Sequence, residues 1–319
     1  MRSDFSIIGE NIHASRVVKK NSPRIREGRL CFDGGVLPLQ EDGAREVRPF
    51  VVAANLLLHG DAEEQRAAGH FVASVARAQT AAGADWLDIN VDECGADTDA
   101  RCAVMRRFAG IALAASPLPL VIDAAQPEVL EAGVEACRAS RRDALLNSVT
   151  PATTRALELA ARHGSGVILL PLTVDGAVPA SAAARCEVMR ALLACAADAG
   201  VAPSRCYADP VVMPVATDPR AAMVTLETLR LYRAEFGSIH VTGGVSNVSY
   251  AMPARAIINR AFARLWFEAG ADAAILDPLS VRREDMASPR PACGLARALL
   301  DGVDEYGMAF VEAFRDGHL

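Results

Sequence analysis

Short runs of strand-forming residues alternate with helix-length segments along the whole chain, and six of those runs end on a carboxylate or a carboxamide. They are Ile7-Ile-Gly-Glu-Asn11, Trp86-Leu-Asp-Ile-Asn90, Leu120-Val-Ile-Asp123, Leu145-Leu-Asn147, Cys206-Tyr-Ala-Asp-Pro210 and Val241-Thr-Gly-Gly-Val-Ser-Asn247. The pattern predicts eight strands near 5–12, 84–91, 118–123, 143–147, 165–171, 205–209, 238–243 and 272–276. Helical patterns fall between them near 65–81, 97–114, 127–138, 151–163, 181–199, 219–235 and 253–269, with a last helical region from 291 onward. Each helix follows its strand within a few residues, as successive βα units require. Glycines at 83, 164, 200, 237 and 270 stand where helices stop before the next strand.

Eight βα repeats make an α/β fold of the (β/α)8 TIM-barrel kind the expectation, with a doubly wound open sheet as the alternative. No Gly-x-Gly-x-x-Gly follows the first strand to support the open sheet. At 319 residues the chain has the length of one such domain, read here as a single unit over 1–319. Two stretches lie outside the repeat. An insertion of about 24–61 follows strand 1, with a hairpin around Asp33-Gly-Gly35, a charged turn and an apolar strip from Phe50 to Leu58. As a loop on the catalytic face it is expected to act as a lid or partner-docking element rather than as decoration. A C-terminal extension of about 281–319 adds a closing helix and one extra helix.

A net charge of −6 and a pI near 5.6 provide no basic footprint for nucleic acid, and no run of Lys and Arg marks a membrane surface. The first residues carry acids where a signal peptide needs an apolar core, and the longest apolar window, 109–122, is broken by Ser116, Pro117 and Pro119. A cytoplasmic protein is expected. None of the eight cysteines forms a Cys-x-x-Cys pair or a His-flanked cluster, so reduced, buried thiols are expected and no metal site. Cys94, in the loop after Asn90, is open to a reactive or supporting role, with plain packing preferred.

In a parallel barrel all strand C-termini open on one face, so Glu10, Asn11, Asp88, Asn90, Asp123, Asn147, Asp209 and Asn247 are expected to converge. That lining is rich in acceptors and amides and poor in Lys, His and Cys. It suits a neutral heterocycle with many hydrogen-bonding edges, such as a reduced pterin, better than a Schiff base or a zinc triad. A carboxylate accepts from an exocyclic amine and its neighbouring ring N–H together, while Asn matches the adjacent nitrogen and carbonyl. Taken singly, each such residue is equally well a helix cap.

The segments Ile8-Gly-Glu-Asn-Ile12, Leu87-Asp-Ile-Asn-Val91, Val121-Ile-Asp123, Leu146-Asn-Ser148, Ala208-Asp-Pro-Val-Val-Met-Pro214, Gly244-Val-Ser-Asn-Val-Ser249 and Arg255-Ala-Ile-Ile-Asn-Arg-Ala-Phe262 together resemble the methyltetrahydrofolate:corrinoid methyltransferases, which belong to the pterin-binding, dihydropteroate-synthase-like barrels. The resemblance runs from Ser6 to Asp277 apart from the insertion, and the Ser-Asn-Val-Ser element with the downstream Ile-Asn-Arg is its most specific part. It implies that Asp123, Asn147 and Asp209 hold the pterin ring, with Glu10, Asn11, Asn90, Ser246, Tyr250 and Arg255 completing the folate site. It places Asn247 beside N5, with a water and Asp88 as its helpers. The substrates it implies are tetrahydrofolate and 5-methyltetrahydrofolate, with a corrinoid (cobamide) carried by a partner protein, and a homodimer as the assembly.

Departures from the family pattern stand at the first strand, where Gly-Glu-Arg-Ile-Asn is common and this chain has Asn11 and His13, and at Tyr250, where Gln is familiar. His13 reads as an acid, an anion contact or an ordinary loop histidine, and Tyr250 as a ring-stacking or mouth-narrowing group. Lys19 and Lys20, the only lysines, are candidates with Arg16 or Arg255 for the glutamate tail of folate, or are simply solvated. None of the six histidines lies in the Asp-x-His-x-x-Gly loop by which corrinoid modules ligate cobalt, so the cobamide is expected on a separate protein. Two alternatives remain at this point. Dihydropteroate-synthase-like condensation lacks a lysine after the seventh strand. A non-catalytic pterin-binding subunit would need only the pocket.

Overall fold

The computed structural model describes residues 5–39, 45–286 and 293–319. The first four residues, part of the insertion's charged turn (40–44) and the expected start of the last helical region at 291 therefore lie outside the described residues. Eight strands form the main sheet: β1 (Ser6–His13), β2 (Trp86–Asn90), β3 (Leu120–Asp123), β4 (Ala144–Val149), β5 (Gly166–Leu169), β6 (Cys206–Ala208), β7 (His240–Val241) and β8 (Ala273–Leu276). Their order is β7-β6-β5-β4-β3-β2-β1-β8, so neighbours in sequence are neighbours in the sheet. An isolated parallel bridge, Gly244 to Ile275, joins the segment after β7 to β8. This is the (β/α)8 barrel that the alternation predicts. β7 is shortened most against expectation, ending at Val241 just before Thr242 and the pair Gly243-Gly244.

Helices α1 (Pro49–His59), α2 (Ala62–Ala81), α3 (Thr98–Ala115), α4 (Pro127–Ala139), α5 (Arg155–His163), α6 (Ala182–Asp198), α7 (Ala221–Glu235) and α8 (Arg255–Glu268) run between the strands. Among the described residues the C-terminal extension holds three short helices, α9 (Arg283–Met286), α10 (Gly294–Leu300) and α11 (Met308–Arg315), where two were expected. The backbone falls into two compact units: Gly9–Asn147, and Met1–Ile8 with Ser148–Leu319.

In the Gly9–Asn147 unit, β2, β3 and β4 are parallel, with Asn90 opposite Asp123 and Asp123 opposite Asn147. Side chains alternate along a strand, so Asp88 and Asn90 share one face while Leu87 and Ile89, both fully buried, point to the other. The insertion contains the expected hairpin, Arg29–Phe32 against Gly35–Pro38, extended by Ile25–Arg26 into a three-stranded antiparallel sheet. The strip from Phe50 to Leu58 is α1, a helix with Pro49 in its first turn, where a missing N–H costs nothing. The insertion is part of the core. Phe32 packs edge-on against Phe71 of α2 at 5.4 Å, and Phe50 meets Phe71 at 5.1 Å and Phe108 of α3 at 6.1 Å between ring centroids. Helix α2 starts with a capping box, the Asp61 carboxylate accepting from Glu63 and Glu64 N–H while Glu64 reaches back to Asp61 N–H.

In the second unit β5, β6 and β7 are parallel, with Leu169 opposite Ala208 and Ala208 opposite Val241. The largest buried side chains here are Trp266, Tyr232, Phe262 and Phe310. Trp266 spends its indole N–H on the Ala273 carbonyl at 2.8 Å, tying α8 to β8. Among the described residues no helix is long and apolar enough to cross a membrane.

Candidate active site

The strand ends of the Gly9–Asn147 unit hold six of the expected residues, Glu10, Asn11, Asp88, Asn90, Asp123 and Asn147. Of these, Asn11 shares its face of β1 with Gly9, toward Gln79 of α2. Asn90, Asp123 and Asn147 occupy one rung across three adjacent strands, and Asp88 lies one step deeper on the same face as Asn90. Asp88 is 3% exposed, and its Oδ1 has no hydrogen-bond partner among the described residues. Burial, then the nearby charges of Asp123 and Glu10, hold its carboxyl well above the usual carboxylate range. Burial, followed by the charge of Asp92, pushes Asp123 up to about 7, against a hydrogen bond from Asn90. Asp123 is thereby poised to accept hydrogen bonds from a ligand, whereas Asp88 holds its proton more tightly. Glu10 pairs with Arg16 at 3.3 Å, and Asn11 fixes its backbone through its N–H to Gln79 Oε1 at 2.9 Å. The approach is so close that a Cβ on Gly9 would sit 2.4 Å from the same Gln79 oxygen.

His13 lies in this unit as well. Its Nδ1 accepts the Ser15 backbone N–H at 3.1 Å, so the neutral ring carries its proton on Nε2, which faces Asp123 Oδ2 at 3.9 Å. Burial, then Arg16, pushes its pKa down to about 4. Such a ring is a neutral donor at physiological pH. The general-acid alternative, which needs a proton to give near neutrality, is not supported.

Asp92 was missed by sequence reasoning. Its carboxylate accepts from Asn90 Nδ2 at 3.3 Å and from Ala125 N–H at 3.2 Å, orienting the Asn90 amide. The period-two series Asp88, Asn90, Asp92 was the available signal. Cys94 is fully buried with its thiol toward the Phe50 carbonyl at 3.7 Å, and burial pushes its pKa up to about 12. That is packing, not reactivity.

The second unit holds Asp209, Ser246, Asn247, Tyr250 and Arg255. Asp209 is 8% exposed, just past β6, and its Oδ1 accepts Val211 N–H at 2.7 Å. Burial pushes its carboxyl up to about 7 against that bond and against Arg185. A Cβ on Gly243 would meet Asp209 Oδ1 at 2.9 Å and Trp266 at 2.8 Å, so the glycine is what lets β7 pass the carboxylate. Asn247 lies in a one-turn 3-10 helix, Val245–Ser249, with an exposed side chain. Arg255 braces that turn, donating to the Ser246 carbonyl at 2.8 Å and to Ser249 Oγ at 3.0 Å. Those two bonds tie Arg255 to the turn that carries Asn247. Tyr250 is 65% exposed and Ser246 Oγ is buried without a partner among the described residues.

Solved structures sharing this architecture include dihydropteroate synthases. The enzyme of Xanthomonas albilineans in complex with 7,8-dihydropteroate covers 89% of this chain and 92% of its own with a TM-score of 0.56 at 16% identity. That of Coxiella burnetii in complex with pteroic acid covers 90% and 92% with a TM-score of 0.55 at 15% identity. At such identity the likeness shows the fold alone, a (β/α)8 barrel. Residues 64–277 match the pterin binding enzyme family, and the chain belongs to that family. Among curated relatives, the methylcorrinoid:tetrahydrofolate methyltransferase of Eubacterium limosum is 28% identical over 253 residues, 78% of this chain and 89% of the relative. The methionine synthase of Mycobacterium tuberculosis is 30% identical over 217 residues, 63% of this chain but 18% of the relative.

Proposed function

We propose that this protein is a methyltransferase moving a methyl group between N5 of tetrahydrofolate and the cobalt of a corrinoid carried by a separate protein. The observation that carries this proposal is the rung Asn90, Asp123, Asn147 above the buried, donor-poor Asp88. Amides and carboxyls held in that register match the alternating donors and acceptors of a pterin edge, and family membership and the names of the relatives agree with it. Asp123, Asn147 and Asp209 hold the pterin, with Glu10, Asn11, Asn90, Ser246 and Tyr250 around it. Arg255 serves through the turn that it braces.

A methyl on a tertiary amine is a poor electrophile, because its nitrogen leaves as an anion unless it gains a proton or a strong hydrogen bond in the transition state. Asn247, with a water and Asp88, stabilises the protonated N5 as charge develops. Preorganised donors of this kind lower barriers by about 2.7–4 kcal/mol each. The corrinoid, when its protein is docked, supplies the metal centre that accepts or returns the methyl group. The same proposal takes the protein as a cytoplasmic homodimer with no nucleic-acid or membrane partner.

The test mixes the protein with 5-methyltetrahydrofolate and reduced cobalamin and follows the cobalt absorption spectrum. A protein-dependent conversion to the methylated form is expected. Folate fluorescence quenching with an unchanged cobalt spectrum would instead identify a non-catalytic pterin-binding subunit, and product from a dihydropterin pyrophosphate and an aromatic amine would identify a synthase.

A further inference from the structure

The turn after β6 holds a backbone state that its own sequence disfavours. Val211 has φ of 61°, in the left-handed region where a β-branched side chain is a genuine outlier. Such a state persists only when its surroundings over-determine it. The surroundings here centre on Arg185 of α6, whose side chain is buried at 3% exposure. Its Nη1 donates to the Pro210 carbonyl at 2.7 Å and to the Val211 carbonyl at 2.9 Å, while Nε donates to the Pro179 carbonyl at 2.9 Å. Thr225 Oγ1 adds a second donor to the Val211 carbonyl at 3.0 Å, and Val211 N–H returns to Asp209 Oδ1 at 2.7 Å.

Among the described residues this guanidinium donates to three loop carbonyls and to no carboxylate. A buried cation hydrogen-bonded to loop carbonyls, with the charges of Asp209 and Asp218 close enough to favour it, is still expensive as a stability device. It makes sense where a planar fork must fix the carbonyls of one particular turn, which a lysine ammonium cannot do with the same geometry. The turn so fixed is the one whose Val211 N–H sets the direction of the Asp209 carboxylate.

We propose that Arg185 is a positioning residue: its guanidinium clamps the strained Asp209-Pro210-Val211 turn and thereby aims Asp209 at the ligand. The ligand's identity rests on the folate proposal above; the clamp does not. In Arg185→Met, folate affinity of the folded fraction, measured by fluorescence quenching with 5-methyltetrahydrofolate, should fall by about tenfold or more, the scale of losing hydrogen bonds from a charged group. Amide exchange at 209–213 should speed up in the same variant. Val211→Gly accepts positive φ without strain, so adding it to Arg185→Met should restore affinity to within about threefold of Val211→Gly alone. Wild-type affinity in Arg185→Met, or a double variant as weak as Arg185→Met, overturns the proposal. Should Arg185→Met not fold, Arg185→Lys carries the same test: a loss rescued by Val211→Gly supports the clamp, and wild-type affinity overturns it. Should the wild type bind no folate, the functional proposal fails, and unchanged amide exchange in the arginine variants would separately sink the clamp.

Discussion

Asp123 and Asp209 share one physical situation: each is a carboxyl whose burial raises it to about 7 in the ligand-free protein. A ligand that donates N–H bonds to them binds the ionised form, so affinity should fall as pH drops through 7, by about tenfold per pH unit for each group involved. Binding 5-methyltetrahydrofolate near pH 6 should therefore release protons, which calorimetry in buffers of different ionisation enthalpy measures directly. Stability runs the other way. A carboxyl raised in the folded state stabilises the empty protein below the unfolded value of 3.8 and loses that contribution as pH climbs through about 7. The residues should also separate kinetically. Asn247→Ala should lower turnover by about 10²–10³ with little change in folate affinity, whereas Asp123→Ala should weaken binding itself. Steady-state kinetics beside direct titration distinguish the two. At this scale the sequence named Asp88, Asn90, Asp123, Asn147, Asp209 and Asn247 from their place at strand ends. It left Asp92 unread despite the period-two signal, and it could not name Gln79 or Arg185. Their partners are backbone groups or amides brought near by folding, and an arginine inside an apolar helix looks on paper like any surface arginine.

Secondary-structure elements were legible where periodicity was long and clean, and the strand and helix positions of the repeat emerge within a few residues. The insertion was legible only in its hairpin, because Asp33-Gly-Gly35 has a local turn chemistry. The strip Phe50–Leu58 is apolar apart from Asn55 and carries no period to separate strand from helix, and its contacts with α2 and α3 settle it as α1. Phe50→Ala should cost about 3–5 kcal/mol, the range for emptying a buried aromatic site, read from equilibrium urea unfolding. The same packing makes excision of the whole insertion a test of folding rather than of docking. Val36, 41% exposed on the hairpin, is the better probe. If the insertion meets the corrinoid protein, Val36→Glu should slow methyl transfer with that protein while the rate with free cobalamin stays the same.

For the whole molecule, a substrate that binds only the folded chain must stabilise it by mass action. At a hundredfold excess of 5-methyltetrahydrofolate over its Kd the gain should be about 2.7 kcal/mol. At one fixed folate concentration, thermal melts should show a larger gain at pH 8 than at pH 6, and an aminobenzoate without a pterin ring should give none. The sequence by itself determined the architecture and the chemistry at its strand ends, because βα alternation and a period of two are local properties of the chain. Tertiary structure alone decided which polar residues share a rung, which acids are stripped of water, and where a strained valine is clamped. Those outcomes depend on strand register and burial, which join residues far apart in the chain and set their proton affinities through a surrounding that no local pattern encodes.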